Sequence, residues 1–154
     1  MRLAYLDFFI SCAEVNWMNY MGLDIGDKNI GIAISSGIIA QGIGTYRRSE
    51  YEKDICYINK IIKDNKVSKL VVGLPKNMNG SIGFQGEKVI KFCEDLEKIL
   101  DEGIKIEFMD ERLTTVLANN FMLEADMSRK KRKNIVDKMA AQIILQDYLN
   151  MLNK

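Results

Sequence analysis

Three acidic side chains, Asp24, Glu111 and Asp137, sit where an acid meant only for solvent would be out of place. Asp24 interrupts MGLDIGDKNIGIAIS (residues 21–35), an otherwise apolar stretch. In a strand, Met21, Leu23 and Ile25 face one way while Gly22, Asp24 and Gly26 face the other. The carboxylate is then flanked on its own face by bare backbone. An ionised carboxylate in an apolar setting is costly unless it is paired or coordinates a cation, and open space beside it invites a metal and a phosphate. Capping of the adjoining turn, or pairing with Lys28, accounts for Asp24 equally well.

The second acid closes IKIEFMDERLTT. Ile104, Ile106, Phe108 and Asp110 share one face of that strand, and Glu107, Met109 and Glu111 the other. Asp110 and Glu111 lie at the strand's end just before a helix, where sheet folds place ligand sites. A surface salt bridge to Arg112 is the alternative for both, and the stronger one for Asp110. Asp137 borders the apolar stripe of NIVDKMAAQIILQDYL, and Ala140 and Ala141 are small enough to let that helix approach the sheet. Its alternative is a first-turn Asp favoured by the helix dipole. The chain has no histidine, so imidazole is excluded as base, nucleophile activator or ligand, which leaves carboxylates, lysines and thiols.

The elements that must position these acids read as α/β. MGLDIG, NIGIAIS and IIAQGIGTYRR are three strands in succession, joined first by a turn at Asp27-Lys28-Asn29. Ile55, Ile58, Ile61 and Ile62 recur at helical spacing over residues 50–65. KLVVGLP is a strand buried on both faces and ended by proline. Val89, Phe92, Cys93, Leu96 and Ile99 stripe a helix over 84–100, with Gly103 just beyond its end. IKIEFMD is the fifth strand, TTVLANNFMLEA a short helix, and a last helix over about 134–152 carries Val136, Met139, Ala140, Ile143, Ile144, Leu149 and Leu152. This order predicts a central mixed five-stranded sheet with helices on both faces. At 154 residues, 47% hydrophobic and 28% charged, the chain suits one soluble domain.

Residues 1–19 form an N-terminal extension distinct from the single domain expected over 20–154. They are either an addition or misplaced start, or a docked helix with Leu3, Leu6, Phe9 and Ile10 on one side. Asp7 breaks their apolar run, so a signal peptide is not expected, and nothing approaches the ~20 apolar residues of a membrane span. Cys12, Cys56 and Cys93 form no C-x-x-C pair and read as free, reduced, buried thiols. A cytoplasmic protein is expected.

A net charge of +1 means that affinity for a polyanion must come from a local patch. Arg129, Lys130, Lys131, Arg132 and Lys133 supply one immediately before the helix bearing Asp137. So dense a run of like charges predicts a mobile loop that tracks a phosphate backbone. Arg47, Arg48, Arg112 and the loop from Lys76 and Asn77 to Ser81 are further candidate contacts.

From about Tyr20 to Leu152 the chain resembles the YqgF/RuvX family of pre-16S rRNA nucleases or Holliday-junction resolvase-like proteins in the RNase H superfamily. The matching blocks are DIGDKNIGIAIS, VVGLPKNMNGS, DERLTT with Ala118, and VDKMAAQIILQDYL, in the family's order and spacing. The resemblance implies an RNase H-like nuclease domain in which Asp24, Glu111 and Asp137 match the acidic triad. Two positions depart from it: Ser36 and Asn79 stand where the family commonly has Asp. Phosphodiester hydrolysis needs an activated water and a stabilised leaving oxygen, and two divalent ions about 4 Å apart supply both. Oxygen ligands favour Mg²⁺ or Mn²⁺, with Asp24 bridging, Glu111 and Asp137 completing the shells and Asp110 as auxiliary acid.

The expected function is therefore a metal-dependent nuclease acting on structured nucleic acid, as monomer or homodimer. The resemblance offers two substrates, the 5′ region of precursor 16S rRNA or a branched DNA junction. D-x-G before a strand also resembles the first phosphate motif of actin-like ATPases and sugar kinases, but those need two such lobes. A catalytically inactive nucleic-acid-binding protein is the remaining alternative.

Overall fold

The computed structural model describes residues 18–111 and 128–154, the side chains of residues 133 and 134 excepted. Residues 1–17, Arg112 and the helix expected over TTVLANNFMLEA lie outside these. β1 (Asn19–Ile25), β2 (Asn29–Ser36) and β3 (Ile39–Arg47) form an antiparallel meander. They are followed by α1 (Tyr51–Asp64), β4 (Val67–Leu74), α2 (Phe84–Glu97), β5 (Lys105–Asp110) and α3 (Arg129–Leu152). The sheet order is β3-β2-β1-β4-β5, with β4 parallel to both of its neighbours. This is the mixed five-stranded sheet that the order of elements implies.

Alternation along each strand divides the interior in two. Met21, Leu23 and Ile25 join Ile30, Ile32, Leu70, Val72 and Leu74 in one core, covered by Ile55, Ile58 and Ile62 of α1 and Val89, Phe92, Cys93 and Leu96 of α2. Ala33, Ala40 and Val71 face the other way, against Ala141, Ile144, Leu145, Tyr148 and Leu149 of α3. β4 is central and its residues 70–74 are buried throughout, as a continuous apolar run requires.

Small residues on the second face let α3 settle onto the sheet. A Cβ on Gly22 would lie 2.8 Å from Ala141 O and Leu145 Cβ, and one on Gly31 would overlap the Asp137 carbonyl. The bare backbone beside Asp24 is therefore not the open space expected from sequence. Helix backbone fills it. At the outer edge, Gln146 Oε1 accepts from Ala40 N at 2.9 Å and Gln142 Oε1 from Gly42 N at 3.2 Å, so α3 side chains occupy edge amides of β3.

Other expectations shift in detail. α3 begins at Arg129, so the basic run is its opening turns and not a loop. Ile99 lies beyond the end of α2 and is 41% exposed, and Leu152, in the last turn of α3, is 51% exposed. Cys93 is buried, but Cys56 is exposed because it sits off the Ile55–Ile58–Ile62 stripe. Gly103 adopts φ +90 beyond α2, the left-handed conformation glycine tolerates.

Candidate active site

The C-terminal ends of the parallel strands β1, β4 and β5 lie side by side, and Asp24 and Glu111 meet there. Asp24 is the penultimate residue of β1, and Glu111 directly follows β5, its N–H donating to Leu74 O of β4 at 3.4 Å. The two side chains share a hydrogen bond. Gly73 of β4 makes this possible, because a Cβ there would overlap Glu111 Oε2 and stand 2.5 Å from Ile144 Cδ1. Glycine inside a buried strand signals a close approach. That signal was available in VVGLP and identifies Gly73 as a site residue that the search for charged groups passes over.

Electrostatics mark the pair as strained by its own charge. Burial pushes the Asp24 carboxyl up to about 6; the hydrogen bond with Glu111 opposes that rise and the charge of Asp137 adds to it. Burial pushes Glu111 up to about 8, helped by the charge of Asp24, the hydrogen bond to it and the charge of Asp110. At neutral pH Glu111 therefore holds the proton it donates to Asp24. Glu111 Oε2 is buried with no hydrogen-bond partner among the described residues. An orphaned buried carboxyl oxygen is costly. It is the atom a cation would satisfy.

Asp137 lies about two turns into α3, too deep for the first-turn role left open by sequence. Its charge reaches Asp24, and Asp137 Oδ2 is buried. Lys28, the alternative partner for Asp24, stands in an exposed turn and forms no ion pair among the described residues. Asp110 is 4.0 Å from Lys76 Nζ, both about one-third exposed. The Asp24–Glu111 pair is thus closed on itself by a proton, and among the described residues no group of three or more acids, cysteines or histidines stands ready-spaced around a cation. The donors are all oxygen, the right chemistry for Mg²⁺ or Mn²⁺.

The loop after β4 is braced internally. Asn77 N donates to Ser81 O and Gly80 N to Asn77 O, both at 2.8 Å, and Asn77 Nδ2 donates to Ser81 Oγ at 2.9 Å. Asn79 Oδ1 accepts from Ser81 N at 3.0 Å and from Ser81 Oγ at 2.6 Å. The amide oxygen of Asn79 thus serves as the loop's acceptor. Arg129, Lys130 and Lys131 are exposed on the opening turn of α3, and Arg132 is half-buried.

A family model described as "RuvX: Holliday junction resolvase" matches residues 18–151. The chain belongs to the RuvX family. Relatives agree: a protein of Caldanaerobacter subterraneus subsp. tengcongensis is 58% identical over 136 residues, covering 86% of this chain and 96% of its own length. One from Clostridioides difficile is 56% identical over 132 residues, covering 84% and 92%. Both carry the name "Putative pre-16S rRNA nuclease". The RuvX chain also superposes on two solved structures. Thermus thermophilus RuvC in complex with a Holliday junction substrate gives a TM-score of 0.53 at 11% identity over 87% of this chain and 96% of that one. Fowlpox virus resolvase with Holliday junction DNA gives 0.54 at 15% over 89% and 100%. These establish the RNase H-like fold.

Proposed function

We propose that this RuvX chain is a divalent-metal-dependent nuclease of the cytoplasm that hydrolyses phosphodiester bonds in structured RNA, at the 5′ region of precursor 16S rRNA. The observation that carries the reading is the Asp24–Glu111 pair: two half-buried carboxyls hydrogen-bonded to each other at the strand ends, with the buried Oε2 of Glu111 orphaned among the described residues. Nuclease activity and the RNA substrate are supported by the family and by the names of relatives. Among the described residues no helix is long and apolar enough to cross a membrane.

Asp24, Glu111 and Asp137 would hold the metal, with Asp110 beside them, and bound divalent ions supply Lewis acidity and an acidified water. The chain's own groups do the rest. Glu111 releases the proton it shares with Asp24 when the cluster takes up positive charge. Gly73 leaves room for the Glu111 carboxyl and Gly31 for the α3 backbone at Asp137, an arrangement that would let three carboxylates share one space. Arg129 to Lys133, with Lys76, Asn77 and Arg112, hold the phosphate backbone; Lys76 already lies against Asp110.

Cleavage of branched DNA is the second reading, favoured by the description of the matching family model. Wild type and Asp24→Asn, incubated with a labelled precursor 16S fragment and a four-way DNA junction in Mg²⁺, Mn²⁺ or EDTA, decide between them. The expected result is RNA cleavage that needs both metal and Asp24. Cutting of the junction alone transfers the reading to DNA. Cutting indifferent to the substitution, or metal-independent binding without cutting, overturns catalysis at this cluster.

A further inference from the structure

On the far side of α3 from the acid pair, the sheet end opens into a groove of about 590 Å³ whose charged lining, among the described residues, is Lys28, Arg47, Lys130 and Lys138. None of these four forms an ion pair among the described residues. Lys28 and Arg47 also line the neighbouring groove, whose remaining cations are paired. Its Arg48 is held by Asp54 at 2.9 Å and its Lys88 by Asp27 at 3.0 Å. Four unneutralised cations around one concavity repel each other unless an anion joins them. Lys138 is laid across Gly42, where a Cβ would lie 2.7 Å from Lys138 Cγ. The backbone of Arg47, the last residue of β3, pairs with Asn29.

The register gives the groove its distance from the acids. Asp24 pairs with Gly31, and Gly31 pairs with Thr45, which lines the groove. Directly opposed residues share a face, so Asp24 and Thr45 stand on the α3 side, two strand spacings or about 10 Å apart. Helix α3 straddles the row between them, with its Asp137 carbonyl over Gly31. A helical strand rises about 3.4 Å per nucleotide, so the straight 10 Å is about three nucleotides, a lower bound because α3 lies across that line.

We propose that this groove binds the phosphodiester backbone of the substrate strand at least three nucleotides from the scissile bond, with Lys28 and Lys138 as phosphate contacts beside Arg47 and Lys130. The inference rests on the nuclease reading and deepens it: the substrate must extend past the cut on one side, so a dinucleotide-length end is a poor substrate.

The test measures affinity against salt in EDTA, where cutting does not interfere, for wild type and Lys28→Gln/Lys138→Gln. Each lost phosphate contact lowers the slope of log K against log[salt] by about 0.7 on a single strand or 0.9 on a duplex, so a drop of about 1.4 to 1.8 is expected. Shortening the labelled strand to end two nucleotides from the cut, on the side that reaches the groove, should give the same drop in wild type, and the two changes together no further one. Lys28→Glu, in an exposed turn, tests the groove without touching packing and should weaken binding more than Lys28→Gln. An unchanged slope, or drops from substitution and truncation that add in full, overturns the groove. Wild type that binds neither RNA nor junction fails at the earlier step, the nuclease reading itself.

Discussion

Gly31→Ala tests whether backbone-to-backbone seating of α3 holds the third acid in place. Gly31 lies mid-strand, so alanine is intrinsically preferred there by about 0.5–1 kcal/mol. The added methyl, however, would overlap the Asp137 carbonyl, a backbone atom that no rotamer change can move aside. Overpacking of this kind costs about 1–3 kcal/mol, and a backbone neighbour places the cost near the top of that range. The net expectation is a loss of about 2 kcal/mol. Gly44→Ala is the matched control, because nothing lies within 4 Å of its added Cβ, and it should gain about 0.5–1 kcal/mol. With a urea m-value of about 2 kcal/mol/M, the Gly31 variant should unfold about 1 M earlier and the Gly44 variant slightly later than wild type. Cleavage by the Gly31 variant should fall even where it is fully folded, because Asp137 rides on the displaced helix. Equal midpoints for the two alanine variants would refute the close seating.

Three further expectations follow from the same geometry. Both carboxyls of the Asp24–Glu111 pair titrate above their ordinary 3.8 and 4.5. The metal-free fold therefore binds the extra protons, and the pair's contribution is complete below about pH 4 and lost as pH rises through 6 and 8. Melting temperatures of wild type and Glu111→Gln should diverge over that window, the variant becoming relatively more stable, and saturating Mg²⁺ should raise wild type but not the variant. Lys131→Glu places an acid at the positive end of the α3 dipole in place of a cation. It should stabilise the free protein by about 0.3–1 kcal/mol while weakening RNA binding, a divergence visible by pairing urea unfolding with a filter-binding assay. Asp54 is 2% exposed and accepts from Arg48 Nε and Ser49 N, each at 2.9 Å. Asp54→Ala leaves the Arg48 Nε and Ser49 N donors without their acceptor and should cost about 3 kcal/mol, read as a lower urea midpoint.

The strands and α1 were legible because each displays its period in a single run, such as Ile55, Ile58 and Ile62 on α1 or the alternation Met21, Leu23, Ile25 on β1. Asp24 and Glu111 were legible for a related reason: each is an acid at an apolar strand end. What sequence could not provide was the content of the glycine face. Gly22 and Gly31 look the same whether they border a ligand or a helix far along the chain, and only the tertiary packing distinguishes the two. The start of α3 was missed because five consecutive cations disfavour a helix locally, whereas the buried stripe from Val136 to Leu149 is long enough to carry them as an exposed extension. Nucleation is the expensive step, and propagation into a charged turn is not. The four-cation groove was also invisible, since Lys28, Arg47, Lys130 and Lys138 become neighbours only when β3 turns back beside α3.

The glutamines of α3 that take up β3 amides have a consequence for assembly. An unsheathed border strand is the usual place for a sheet to recruit another chain, and here Gln142 and Gln146 already answer the donors of Ala40 and Gly42. Two copies cannot join into one continuous ten-stranded ribbon across that border without first evicting both side chains. A symmetric pair that extended the sheet through β3 at Ala40 and Gly42 would therefore compete with these two glutamines for the same amides.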